Sequence, residues 1–167
     1  LTRGVRGVRI GVDERYMSKY VHPDVVTALF AALDVLKRLG AAVVPVSLPA
    51  VDEVLEAWSV ICAAEAAAAH ETTYPARAGE YGPTFRSFLE YGTQVSGPEY
   101  AKAHVLRVIF ARRLQHIFEQ AEVFACPGAF MQAPPADALD PYAPFSPAIA
   151  PFLRFTGPFN FTGNPTL

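Results

Sequence analysis

Apolar and polar positions along this chain fall into blocks whose period changes from two to about 3.6 and back. The first block, Val8-Arg9-Ile10-Gly11-Val12, reads as a buried strand, and a polar loop leads from it to Val21-His22-Pro23-Asp24. There a helical pattern begins. Val25, Leu29, Ala32, Leu33, Leu36 and Leu39 recur at steps of three and four and form one apolar stripe. Pro23 suits a first turn, Lys37 and Arg38 suit the negative end of the helix dipole, and Gly40 supplies a left-handed stop. Ala41 to Leu48 is a second, β-branched strand closed by Pro49, and Pro45 inside it points to a sheet edge or an irregularity. Strand, amphipathic helix and strand with short connections make a βαβ unit, which implies parallel strands covered by helices. The expected fold class is α/β.

Further along, residues 51–72 are rich in Ala and carry Leu55, Trp58 and Ile61, which predicts a long, largely buried helix. A shorter helix is expected over Thr84 to Tyr91. Ser96-Gly97-Pro98-Glu99 has the form of a capping box, in which the Ser caps the backbone and the Glu reaches back. The helix it opens is expected to run through Tyr100, Ala103, Leu106, Ile109, Leu114 and Ile117 to Phe118. A short strand follows at Val123 to Cys126, and Pro127 to Pro151, rich in Pro and Ala without periodicity, reads as a long loop. Loops of that length are often functional. No internal repeat and no shift of composition divides the chain, so residues 1–167 are expected to form a single domain.

Composition narrows the possible functions. A chain of 167 residues that is 51% hydrophobic can bury one sizeable core. A net charge of −2 gives no basic field to attract nucleic acid or an anionic membrane. The two cysteines, Cys62 and Cys126, are far apart and in apolar contexts, which indicates a reducing, cytoplasmic setting and no disulfide framework. No secretory h-region opens the sequence, and the apolar stretch from Trp58 to Ala69 is interrupted by Glu65 and falls short of the roughly 20 residues that span a bilayer.

Candidate chemistry is sparse. His22, His70, His104 and His116 show no ligand spacing, so surface or capping roles are expected, with no metal and no cofactor. Cys126 ends a strand, where a nucleophile is sometimes presented, but a small residue buried at a sheet end explains it better, and Cys62 reads as core. Arg107, Arg112 and Arg113 make a cationic side on the capped helix. Arg107 is placed to hold a substrate carboxylate, and the plainer account is a solvated face paired with Glu119 or Glu122. Tyr74, Tyr81, Phe85 and Tyr91 read as core before pocket.

The closing run, Phe155-Thr156-Gly157-Pro158-Phe159-Asn160-Phe161-Thr162-Gly163-Asn164-Pro165, crowds turn formers, aromatics and amides together. It resembles a pattern found late in the catalytic domain of the amidase signature family, serine hydrolases that cleave carboxamides. Earlier segments match the same family in order. They are Gly7 to Val12, Val21-His22-Pro23-Asp24-Val25 with His22 in place of the usual Asp, Leu39 to Val44, Ala64-Glu65-Ala66, and Val95-Ser96 leading to Tyr100, Ala103 and Arg107. Phe118, Glu122-Val123 and Pro127 complete the series.

The resemblance implies a mixed sheet covered by helices on both faces, and hydrolysis by a serine, a bridging serine and a lysine. The family carries its serines in a Gly/Ser-rich stretch. Here Ser18, Ser47, Ser59, Ser87, Ser96 and Ser146 stand apart from one another. The chain is therefore expected to be one partial domain, truncated at both ends, lying after the Ser-Ser-Lys segment and inactive alone. By position in the family pattern, Phe130, Met131 and Gln132 are expected to line a substrate pocket, with Arg107 as a further contact. Asn160, Thr162 and Asn164 are expected to satisfy tightly turned backbone beside the catalytic centre. The implied partner is a small-molecule amide, with no nucleic acid or membrane and with homo-oligomerisation left open. The alternatives are a non-catalytic α/β ligand-binding or scaffold module, or a degenerate amidase-like subunit.

Overall fold

The computed structural model describes residues 4–135 and 150–166, and the chain divides into two compact units. The first comprises Leu1–Ala50 and Phe110–Ala133, the second Val51–Ile109 and Pro134–Leu167.

In the first unit, strand β1 (Arg9–Val12) lies between β2 (Ala42–Pro45) and β3 (Val123–Phe124), both parallel to it. Ile10 faces Val43 on one side and Val123 on the other. As expected, Pro45 stands on an edge strand among those described. It lies opposite Val12, and Val46 N–H resumes the ladder to the Val12 carbonyl at 3.0 Å. Successive side chains of β1 point to opposite faces. Ile10 and Val12 enter a core with Met17, Leu33 and Ala41, against which Leu29, Phe30, Leu36, Val43, Ala125 and Cys126 pack. Gly11 faces the other way, where a Cβ would come within 3.1 Å of Ala121 and 3.2 Å of Val46. Ala121, just past helix α5 (Gly97–Gln120), stands on that face, and the second half of the helix buries Phe110, Leu114 and Ile117. The α/β class is as expected. All the described strands are parallel, so the mixed character implied by the resemblance has no antiparallel member among them.

The segment expected as a polar loop after β1 contains a short helix, α1 (Glu14–Ser18). Asp13 explains it. One carboxylate oxygen accepts from Tyr16 N–H at 2.9 Å and caps the helix, and the other accepts from Leu48 N–H at 2.7 Å, fastening β1 to the chain beyond β2. Beyond it Tyr20, 77% exposed, holds a left-handed φ of 63°.

Helix α2 (Pro23–Arg38) begins as the sequence indicates, with the His22 ring nitrogen accepting from Asp24 N–H at 3.3 Å. It ends at Gly40, φ 98°, where Gly40 N–H bonds the Lys37 carbonyl and Ala41 N–H the Leu36 carbonyl, a paired closure of the last turn. Leu29, Phe30, Leu33 and Leu36 form its inner face. Leu39, expected in that stripe, is 57% exposed, because at 3.6 residues per turn it has rotated about 110° from the stripe's centre.

The second unit is helical. Helix α3 (Asp52–Ala69) buries Val54, Ala57, Ile61 and Ala63 only, a narrower face than its apolar composition suggests. Helix α4 (Pro83–Gln94) lies against it so closely that a Cβ on Gly92 would sit 2.0 Å from the Ala63 carbonyl oxygen. Tyr100 on α5 donates to Glu65 on α3 at 2.9 Å. The capping box is formed as expected: Ser96 N–H and hydroxyl reach Glu99 at 2.9 and 2.6 Å, and Glu99 N–H returns to the Ser96 hydroxyl at 3.3 Å. These bonds, with the Ser96 hydroxyl foremost, hold the Glu99 carboxyl below its ordinary range. Along α5, Ile109 is 41% exposed and the adjacent Phe110 is buried.

The loop expected from Pro127 to Pro151 is irregular as far as residue 135. Residues 136–149 lie outside the described set, and helix α6 (Ala150–Leu153) already includes Pro151. The closing run is not a series of tight turns but helix α7 (Gly157–Thr162), set against α3 where a Cβ on Gly157 would meet Leu55 at 2.6 Å.

Gly92→Ala is expected to destabilise the chain by about 3 kcal/mol, because backbone and not a flexible side chain stands in the way. Gly128→Ala, which meets nothing within 4 Å, is expected to stay within about 0.5 kcal/mol. Urea denaturation of both variants checks the pair.

Candidate functional site

The three strands of the first unit are parallel and end on the same side. From β1 the chain goes to β2 on one flank and later to β3 on the other, so the strand order reverses between β1 and β3. At such a switch point the loops leaving the two strands diverge and open a crevice. On the β1 side stand Asp13 and buried Tyr16, whose ring centre lies 6.3 Å from that of Phe124. On the β3 side the loop 125–135 leaves the sheet, and its Phe130 carbonyl accepts from His22 N–H at 2.7 Å. Phe130 and Met131 are half-buried and Gln132 is exposed. The three residues expected in a pocket wall thus lie on the loop that leaves the sheet beside the switch point.

Cys126 sits half-buried under this loop, against the core. Burial pushes its thiol up to about 12, which disfavours the thiolate a nucleophile needs.

The second unit holds a separate polar cluster between α3 and α5. Arg107 is half-buried, with a guanidinium nitrogen 3.9 Å from where a Cβ on Gly163 would lie. The expected pairing of the arginines with Glu119 or Glu122 does not occur. Glu119 pairs with His116 at 3.3 Å and Glu122 with Arg9 at 2.9 Å, while Arg107, Arg112 and Arg113 have no ion pair among the described residues. Cys62, expected as core, is half-buried, and its thiol is raised by burial and by Glu65, against the pull of Arg107. The Tyr100 hydroxyl is raised chiefly by its bond to Glu65.

His104 is half-buried with its ring 4.5 Å from that of Tyr100, and its Nε2 is enclosed without a partner among the described residues. This corrects the expectation of a surface or capping role. His70 departs from it too, being half-buried with Nδ1 3.0 Å from the Tyr81 hydroxyl. Around His70, Tyr74, Tyr81 and Phe85 pack edge to face, yet none is fully buried, so they form a surface cluster and not core.

At the end of α7, Thr162 Oγ1 lies 3.0 Å from the Pro158 carbonyl and 2.6 Å from Asn164 Oδ1, and Asn164 N–H donates to the Phe159 carbonyl at 3.1 Å. Thr162 and Asn164 close a helix end whose left-handed residue is Gly163, φ 77°. Asn160 is exposed on the helix itself.

Sequence reasoning missed three participants: Asp13, the Glu65–Tyr100 link, and enclosed His104. Asp13 had a signal, an Asp directly before an acidic first turn. The other two depend on a helix–helix contact that leaves no local trace.

The sequence model of one protein family, Amidase, matches residues 2–167. An amidase of Pseudomonas putida is 31% identical over 172 residues, covering 100% of this chain and 36% of that protein. One component of the glutamyl-tRNA(Gln) amidotransferase of a Roseiflexus species is 30% identical over 192 residues, covering 100% of this chain and 38% of its own. Among solved structures, an amidase crystal structure superposes with a TM-score of 0.76 at 23% identity, over 96% of this chain and 37% of that one. A 6-aminohexanoate cyclic dimer hydrolase gives 0.74 at 21% identity, over 96% and 38%. The chain therefore spans little more than a third of the length of these relatives.

At pH 8 the Cys126 thiolate is expected to be about a thousandfold rarer in the folded chain than for an ordinary thiol, from the rise of 9.0 to about 12. Alkylation by iodoacetamide, followed by mass spectrometry with and without urea, is expected to label Cys126 slowly until the chain unfolds.

Proposed function

The chain belongs to the amidase family, and from that premise we propose that it is the part of a carboxamide hydrolase that builds sheet, helical cover and substrate wall around a serine centre supplied by other residues. The observation that carries this reading is a family match along essentially the whole chain, with relatives nearly three times as long. On this reading residues 1–167 are part of a single amidase domain.

Amide hydrolysis by a serine needs an activated hydroxyl, a base within hydrogen-bonding reach and donors for the oxyanion. Three of the groups described here are otherwise engaged. Both Asp13 carboxylate oxygens hold backbone N–H groups, Lys37 pairs with Asp34 at 3.2 Å, and the Cys126 thiol is neutral. What the residues offer is placement. Phe130, Met131 and Gln132 stand on the loop at the open end of the sheet as a wall for substrate. Arg107, half-buried and without an ion pair among the described residues, offers a bidentate site for a carboxylate on the substrate. Thr162 and Asn164 stiffen the chain that follows α7 and so brace the catalytic segment, with Asn160 beside them.

The partner on this reading is a small amide in a cytoplasmic setting, without nucleic acid and with self-association open. Among the described residues no helix is long and apolar enough to cross a membrane. The same wall and guanidinium would serve a degenerate amidase-like subunit.

The chain alone is expected to release no ammonia from simple carboxamides above the uncatalysed rate. Placed in the Pseudomonas putida amidase in exchange for the matching segment, it is expected to sustain hydrolysis. Turnover by the isolated 167 residues would overturn the placement of the chemistry elsewhere, and a folded, substrate-binding but inactive chimera would favour the degenerate subunit.

A further inference from the structure

We propose that the outer face of helix α2 is a docking surface for a second copy of this chain, with the two α2 helices antiparallel across a two-fold axis. The contact is independent of the hydrolytic role proposed above. Helix α2 carries a second apolar stripe besides the one that faces the core. Ala28, Ala32, Val35 and Leu39 follow one another at steps of four, three and four, and all four are exposed, Val35 at 43% and Leu39 at 57%. At 100° per residue they fall within an arc of about 60°, with exposed Ala31 beside them, turned about 100° from the inner side at Leu29, Leu33 and Leu36. A single exposed apolar side chain is ordinary, whereas a stripe along most of a 16-residue helix marks a contact.

Charge decides what covers it. Asp24 and Arg38 stand at opposite ends of the helix, both exposed and on the same flank of the stripe. Arg38 has no ion pair among the described residues. The His22 nitrogen 3.6 Å from the Asp24 carboxylate carries the lone pair that accepts from Asp24 N–H, so it offers that carboxylate no proton. The remaining charges of the helix, Asp34 and Lys37, bond each other at 3.2 Å. In an antiparallel pair whose axis passes between Ala31 and Ala32, Ala28 lies opposite Val35 of the second copy, and Asp24 opposite its Leu39 and next to its Arg38. Both ends then join a carboxylate to a guanidinium, and each helix N-terminus lies beside the C-terminus of the other. A parallel pair would set Asp24 against Asp24 and Arg38 against Arg38, and a partner of uniform charge would be repelled at one end. The face is thus complementary to itself, as a two-fold contact requires. Small side chains at its centre let the axes approach, while Val35 and Leu39 supply apolar area.

Sedimentation equilibrium of the 167-residue chain tests this. A helix about 24 Å long makes a contact of the small, transient class, so a monomer–dimer equilibrium with a Kd on the order of 100 μM is expected. Asp24→Lys and Arg38→Glu are each expected to raise the Kd at least fivefold, because every dimer loses two attractions and gains two repulsions. The double variant is expected to return to within twofold of the unchanged chain. Should it fail to fold by circular dichroism, Val35→Lys decides, with dimerisation expected to weaken at least tenfold. Val108→Lys, at a 53% exposed position on α5, is expected to leave the Kd unchanged. A chain that stays monomeric to about 1 mM overturns the second copy as occupant. Association that the single charge reversals leave intact, or that Val108→Lys abolishes, overturns α2 as its surface. A folded double variant that stays as weak as the single ones overturns the antiparallel register.

Discussion

In the second unit the decisive constraint is backbone touching backbone where Gly92 meets the Ala63 carbonyl. Helix axes normally stand 8–10 Å apart because side chains separate them, and a glycine opposite an alanine removes that spacer. Helix α3 then serves as the reference for its neighbours. It receives α4 at Gly92, α7 at Gly157 and the hydroxyl of Tyr100 at Glu65. The Ala-rich composition of α3 thus reflects closeness of approach more than depth of burial, since only Val54, Ala57, Ile61 and Ala63 are buried along it. Arg107 and His104 inherit their positions from that arrangement.

Where the sequence carried a local physical cause, the fold was legible. His22 and Pro23 start α2, Gly40 stops it, and Ser96 with Glu99 starts α5, each through bonds between residues within a few positions of one another. Pro45 marked an edge strand because a missing N–H matters only where a ladder would need it. Features set by distant contacts were not legible. Leu39 and Ile109 fit an apolar spacing but lie off the buried faces, which are defined by what packs against them. The closing run looked like turns because Gly and Pro dominate it. In the structure Pro158 sits in a first helical turn, and a Cβ on Gly157 would meet the flexible end of the Leu55 side chain.

The candidate site divides in the same way. Phe130, Met131 and Gln132 were reached through family resemblance and chain position, and their place on the loop after β3 follows from a strand order that no single segment encodes. Arg107 stood out as one of a basic group, but its separation from Glu119 and Glu122 came from partners those residues find elsewhere, His116 and Arg9. His104 resembled any other helix histidine until its Nε2 was found enclosed.

The order of strands also bears on how the chain reaches this structure. β1 meets β2 after 33 residues but waits 113 for β3, counting from Ile10 to Val43 and to Val123. Most of the second unit is spelled out inside that interval. Closing so long a span costs entropy that only the finished contact returns, which makes the seating of β3 a late and slow event. During synthesis helices α3 and α4 of the second unit are free to fold while the sheet of the first still lacks a strand. The loop that carries Phe130 and Met131 takes its place only once that last strand is home.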